Sequence, residues 1–197
     1  MAINIENADM YFIHIPKTAG SSVTLWLQEN FITTRLAKKH SPPTEINPEL
    51  VNGKKSFTII RNPYERIHSW YYFKIQRAQR FYQKAKHNST DEMWAKLGRT
   101  TTFDSWVQDY FANKDQKELM ILKQVDYIDK NTKHILRQEN LKEDFKKIQI
   151  ELKCFANLPI HNVTLNRSDY RNDYTATSKK IIEQYYKEDL EHFNYEF

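Results

Sequence analysis

The sequence is short of three things: glycine, with Gly20, Gly53 and Gly98 only; cysteine, with Cys154 alone; and any apolar run near the ~18 residues that would cross a bilayer. The glycines stand too far apart for G-x-G-x-x-G or G-x-x-x-x-G-K-[ST]. That excludes the usual dinucleotide and Walker phosphate loops, and collagen-like or glycine-linker architectures with them. A lone cysteine forms no disulfide within the chain, so a cross-linked secreted scaffold is excluded; beside Leu152 and Phe155 it reads as an inert buried thiol on a helix. Residues 1–10 carry Glu6 and Asp9 and lack the basic-then-apolar pattern of a secretory leader. The sequons at Asn88, Asn162 and Asn166 therefore read as chance matches, and a cytoplasmic location is expected.

What remains is 197 residues, 40% hydrophobic and 14% aromatic, enough to bury a core in one domain spanning 1–197. The net charge is +5, but it is unevenly placed. Lys54–Lys86 holds nine basic residues and one acid, a local +8 that leaves −3 for the rest. A basic segment in a mildly acidic chain points to a local anionic ligand, while Lys74–Lys86 reads as a solvated helix face.

Met10–Ile15 (MYFIHI), Ser56–Ile60 (SFTII) and His134–Leu136 (HIL) read as short buried strands. Helical spacing follows each: Ser22–Phe31; a long helix from Pro63 through Ile67, Trp70 and Ile75 toward Lys86, with Asn62 as its cap; and a helix from Glu139 or Asn140 to Leu152. Phe103–Phe111 and Thr175–Phe193 complete the helices, residues 38–55 and 87–101 read as loops, and Asp129–Asn131 as a turn. Strands alternating with helices predict an α/β layer with a parallel sheet.

Two stretches carry chemistry. In Ile15-Pro-Lys17-Thr18-Ala19-Gly20-Ser21-Ser22, a strand delivers small residues and hydroxyls to a helix N-terminus, where backbone N–H groups and the helix dipole favour an anion and Lys17 adds a point charge. In Ile60-Arg61-Asn-Pro-Tyr-Glu-Arg66-Ile-His68-Ser69, Arg61 ends a strand and offers a bidentate grip on phosphate, with Ser69 two helical turns on. Two anion sites at the carboxyl ends of parallel strands suit a nucleotide with two separated phosphate groups.

These residues resemble the sulfotransferases that use 3′-phosphoadenosine 5′-phosphosulfate, in the branch related to carbohydrate 2-O- and chondroitin-type enzymes. I-P-K-T-A-G-S-S is similar to that family's 5′-phosphosulfate loop, I-I-R-N-P-Y-E-R-I-H-S-W-Y-Y to its 3′-phosphate motif, and Arg137-Gln-Glu139-Asn-Leu-Lys-Glu-Asp144-Phe to its R-x-E-N-L-x-x-D-F segment. The resemblance implies a P-loop-like, three-layer α/β/α fold with a short central parallel sheet. It assigns Lys17 to the leaving phosphate, Thr18, Ala19, Gly20, Ser21 and Ser22 to the 5′-phosphate, and Arg61 and Ser69 to the 3′-phosphate. It also puts Arg167, with Asn162 and Thr164, in a loop folded over the cofactor. The implied acceptor is a hydroxyl, less readily an amine, of a sugar or small metabolite, recognised by the loops at 32–54 and 87–101. The product is adenosine 3′,5′-bisphosphate.

The leaving group gains negative charge, so positioning and charge stabilisation carry such a reaction. No metal, nucleic acid or membrane span is expected. A base must take the acceptor proton. His40, in Lys39-His-Ser-Pro-Pro-Thr-Glu45, is the choice, because relatives often carry a histidine in this setting. His14 and Glu45 are rivals, His161 an outsider and His68 a rim residue. Arg66 is read either as a second phosphate or adenine contact or, the preferred role, as the partner of a buried carboxylate such as Glu139. Two other classes stay open: a nucleotide kinase or NTPase with an unusual phosphate loop, and a non-catalytic nucleic-acid or nucleotide-binding module.

Overall fold

Every residue of Ala2–Ile5 and Met10–Ile13 is buried, and the two runs pair antiparallel as β1 and β2 in a computed structural model of the chain. The structure describes residues 2–38, 40–83, 102–112, 122–160 and 169–197, the side chains of 81–83 excepted. Asn7 turns the β1–β2 hairpin at φ 61°, a left-handed conformation that asparagine tolerates. Among the described residues the remaining strands are β3 (Thr33–Arg35), β4 (Lys55–Ile60) and β5 (Thr132–Arg137), and the sheet order is β3-β1-β2-β4-β5. β4 runs parallel to both β2 and β5 and is buried from Ser56 onward, which is why it reads as a continuous apolar run.

The parallel centre matches the α/β class read from the sequence, but the sheet is mixed. β1 and β3 add an antiparallel side that the sequence reading missed. The run Ala-Ile-Asn-Ile is only four residues long, and Thr-Thr-Arg on the edge is polar, so neither announces a strand. β2 also stops at Ile13, leaving His14 and Ile15 in the turn beyond it.

Among the described residues, in chain order, the helices are α1 (Gly20–Asn30), α2 (Pro63–Gln83), α3 (Phe103–Ala112), α4 (Leu141–Asp144), α5 (Lys146–Glu151), α6 (Ala176–Tyr185) and α7 (Lys187–Phe193). The single helices expected at 139–152 and 175–193 are each broken. The second breaks at Tyr186, whose φ of −101° and ψ of 24° leave the helical region. The chain forms two compact units, Met1–Arg61 with Glu118–Val163, and Asn62–Lys117 with Thr164–Phe197.

In the first unit, Ile3, Ile5, Met10, Phe12, Phe57 and Ile59 of the sheet pack with Val23, Trp26 and Leu27 of α1 and with Phe145 and Ile148. Trp26 meets Phe145 edge to face at 4.9 Å, and its Nε1 donates to the Ala156 carbonyl at 2.8 Å, so the indole's polar atom is satisfied inside the core. Asp144 accepts from the Arg137 backbone N–H at 2.9 Å and so ties β5 to α4. Burial pulls its carboxyl upward, but that bond, Lys147 and Asn140 outweigh it and hold the group below the usual aspartate range. Cys154 lies past the end of α5, half-buried against this core, and Phe155 is exposed; the expected fully buried helical thiol is therefore corrected.

The second unit is aromatic. Ile67, Trp70, Tyr71, Ile75 and Ala78 form the buried stripe of α2 at helical spacing. Trp70 meets Trp106 and Tyr110 of α3 edge to face, both at 5.2 Å. A capping box of Thr175 and Ser178 starts α6, and Asp104 of α3 accepts from the Thr175 hydroxyl at 2.6 Å.

Candidate functional site

The turn after β2 is built from residues that do not favour its conformation. Lys17 and Ala19 both sit in the left-handed region, at φ 69° and 65°, although neither is glycine. Each costs about 1–3 kcal/mol unless its surroundings enforce it. Thr18, between them, is buried, and its hydroxyl donates to the Ile15 carbonyl at 2.9 Å, which closes the turn from inside. Left-handed residues alternating with an ordinary one turn successive N–H groups to one side, the arrangement of an anion-binding concavity. Ala19 is also the N-cap of α1 and makes no side-chain capping bond there.

Gly20 begins α1 against His14. A Cβ at Gly20 would lie 2.5 Å from His14 Nε2 and 2.7 Å from Cγ, so no side chain fits while the ring is there. His14 is only 4% exposed. Its ring stacks on Phe12 at 5.9 Å and meets the His40 ring edge to face at 5.1 Å. His40 is half-buried at φ 66°, with its carbonyl accepting from the buried Tyr127 hydroxyl at 2.9 Å. Next to it, Ser41 is 1% exposed, and its hydroxyl has no hydrogen-bond partner among the described residues.

The end of β4 is held differently. Gln124, fully buried, accepts from the Arg61 backbone N–H at 2.9 Å and donates its amide to the Arg61 carbonyl at 2.8 Å. With its backbone fixed, Arg61 sends its guanidinium to the first turn, where Nη1 donates to the Lys17 carbonyl at 3.2 Å. Arg61, the first basic residue of the second motif, thus meets the first motif within one unit, beside a helix start that no side chain caps.

In the other unit, Asn62 caps α2 as expected, its side-chain oxygen accepting from the Tyr64 N–H at 3.0 Å while its amide donates to the Glu196 carbonyl at 2.6 Å. Ser69 is buried on α2. His68 is fully buried, and its Nε2 faces Asp173 Oδ2 at 2.7 Å, an oxygen that also accepts from the Tyr72 hydroxyl at 2.8 Å. Burial, then the Asp173 carboxylate, pushes the Tyr72 phenol far up. His68 is therefore an interior residue of this unit, not the rim residue expected. Arg66 is fully buried, 5.9 Å from the Tyr186 ring centroid, but Glu139 is exposed in the first unit. Among the described residues of this unit Asp189 is a fully buried carboxylate, while Glu139, being exposed, is not the buried acid expected.

Sequence reasoning missed Gln124 and the contact between His14 and Gly20. Gln124 stands in no motif and meets Arg61 from 63 residues away, so no local signal marks it. Glu45 is exposed in a 3₁₀ turn at Pro43–Glu45. Arg167, Asn162, Thr164 and His161, Lys84 and Lys86, and the loop expected at 87–101 lie outside the described residues. Among the described residues, no group of three or more His, Cys, Asp or Glu side chains is placed to hold a metal ion, and no helix is long and apolar enough to cross a membrane.

A protein-family model described as "Sulfotransferase family" matches residues 3–196. No curated protein and no solved structure matches the chain.

Proposed function

The chain belongs to the sulfotransferase family, and from that premise we propose that it moves a sulfo group from 3′-phosphoadenosine 5′-phosphosulfate to a hydroxyl of a carbohydrate or small-metabolite acceptor. One observation carries the reading. Parallel pairing sets the ends of β2 and β4 side by side, and there the Arg61 guanidinium donates to the Lys17 carbonyl, so an arginine and a lysine stand together before the start of α1. The residues fit a bisphosphate nucleotide: an uncapped helix start, two left-handed residues before it, two cations, and a buried Ser41 hydroxyl with bonding capacity to spare.

When bound, the donor supplies an activated sulfo group, whose S–O bond to phosphate breaks as a bond to the acceptor oxygen forms. Lys17 neutralises the charge that gathers on the leaving phosphate, and the loop from Thr18 to Ser22 holds that phosphate in place through its N–H groups up to Ser21 and through the Ser22 side chain, the Ser22 N–H being given to the Ala19 carbonyl. Arg61 grips the 3′-phosphate as a fixed fork. Ser69 and Arg167 are proposed as further cofactor contacts on the sequence resemblance alone. His40 takes the acceptor proton. It is half-buried and so reachable, whereas His14 is packed with one ring edge on Gly20. A cytoplasmic setting belongs to this reading, since a single cysteine asks for no oxidising compartment.

Calorimetry with adenosine 3′,5′-bisphosphate tests the reading directly. Charge-assisted contacts of about 1.5–3 kcal/mol each predict micromolar or tighter binding after association costs. A purified protein that binds no bisphosphate overturns it. A panel of sugars and hydroxylated metabolites with radiolabelled donor then identifies the acceptor.

A further inference from the structure

The His14 ring occupies an unusual place. The backbone beside it is fixed, because the Ile13 carbonyl accepts from the Thr58 hydroxyl at 2.8 Å. Phe12 lies on one side of the ring, the start of α1 against its Cδ2–Nε2 edge, and the His40 ring beyond it. At 4% exposure the ring has no room to swing toward solvent. The His40 carbonyl accepts from the Tyr127 hydroxyl, and His14 borders the His40 ring.

We propose that His14 is a positioning residue that orients the His40 imidazole, and that glycine is required at position 20 because this ring fills the space a side chain would take. The catalytic half of the proposal rests on the reading of His40 as the base. A base works only when its nitrogen points at the proton it removes, within roughly 10–20°. A packed, flat neighbour meeting it edge to face supplies that orientation without touching substrate. Gly20 then serves two ends at once: close approach of the helix start to an anion, and a seat for the ring that sets the base.

Three measurements test this. Thermal unfolding of Gly20→Ala, His14→Ala and the double variant reads the packing. Gly20→Ala alone should lower Tm by about 3–10 °C through overpacking, and should lower it little or not at all once His14 is Ala. Equal losses in both backgrounds overturn the proposal. NMR of the His40 ring protons reads the orientation: His14→Ala should move them toward the values of an unstructured histidine, and unchanged shifts overturn the proposal. Sulfo transfer to water, followed as release of adenosine 3′,5′-bisphosphate from the donor, reads the consequence. His14→Ala should slow it about tenfold when His40 is present and have no effect in a His40→Ala background. The same loss in both backgrounds overturns the positioning role. Undiminished transfer by His40→Ala instead overturns the base assignment and the catalytic half of the proposal with it, while unfolding and NMR still decide the packing. His14→Asn, run in parallel, replaces His14→Ala if that variant does not fold.

Discussion

The strand-to-helix turns after β2 and after β4 solve opposite problems. The turn from Lys17 to Gly20 is strained and uncapped: two non-glycine residues hold left-handed angles, and Ala19 has no side chain with which to cap α1. The turn from Arg61 to Tyr64 is relaxed and closed: Gln124 meets both backbone groups of Arg61, and Asn62 satisfies the start of α2. In the function proposed above, the N–H groups of the first are completed by an anion. The second spends its hydrogen bonds on itself and so holds one side chain, Arg61, in a fixed direction. A nucleotide with two phosphate groups needs both, a receptive backbone at one end and a rigid fork at the other.

Substitutions that attack the two turns unequally sharpen this contrast. Lys17→Ala should have the largest effect, a fall in kcat of about 10²–10³ with little change in Tm, since removing one preorganised charge partner costs on that scale; steady-state transfer beside a melting curve checks it. Arg61→Ala should weaken adenosine 3′,5′-bisphosphate binding by about 10- to 100-fold in calorimetry. If the loss falls on kcat alone, the fork is misassigned. Gln124→Ala strips two buried bonds from the Arg61 backbone and should destabilise the protein by about 2 kcal/mol in urea unfolding. Asn62→Ala should cost about 1 kcal/mol, the usual scale for a lost helix cap, and should leave Lys17-dependent chemistry unchanged. The smallest effect is expected of Ala19→Gly. Relief of the left-handed strain should offset the added chain entropy to within about 1 kcal/mol, while bisphosphate affinity drops a few-fold as the turn loosens. Tighter binding by that variant would mean that the strain serves nothing.

Much of this is legible in the sequence. β2, β4 and β5 form the parallel centre of the sheet, and in sequence they stand out as compact apolar runs. Asn62-Pro63 announces a capped helix because each residue has one conformational use there. β1 and β3 were illegible, since four residues and a polar Thr-Thr-Arg become strands only through the neighbours they pair with. The break at Tyr186 has no glycine or proline to mark it. Lys17, Gly20 and Arg61 were visible as residue types suited to phosphate. What held them was not: Gln124 acts across 63 positions, and the reason for Gly20 lies in a histidine that reads as ordinary strand packing.

The bonds between Gln124 and Arg61 have a consequence for motion. A primary amide that both accepts from and donates to one residue's main chain copies a hydrogen-bonded pair of an antiparallel ladder. β4 thereby gains one more rung past Ile60 without a further strand to supply it. The Arg61 amide proton should exchange with solvent as slowly as those of the sheet, while the Ala19 amide, in the turn before α1, should exchange like a loop. Where the chain turns out of its sheet, a single glutamine works as an end-stop, keeping the fraying of a strand terminus from reaching the arginine.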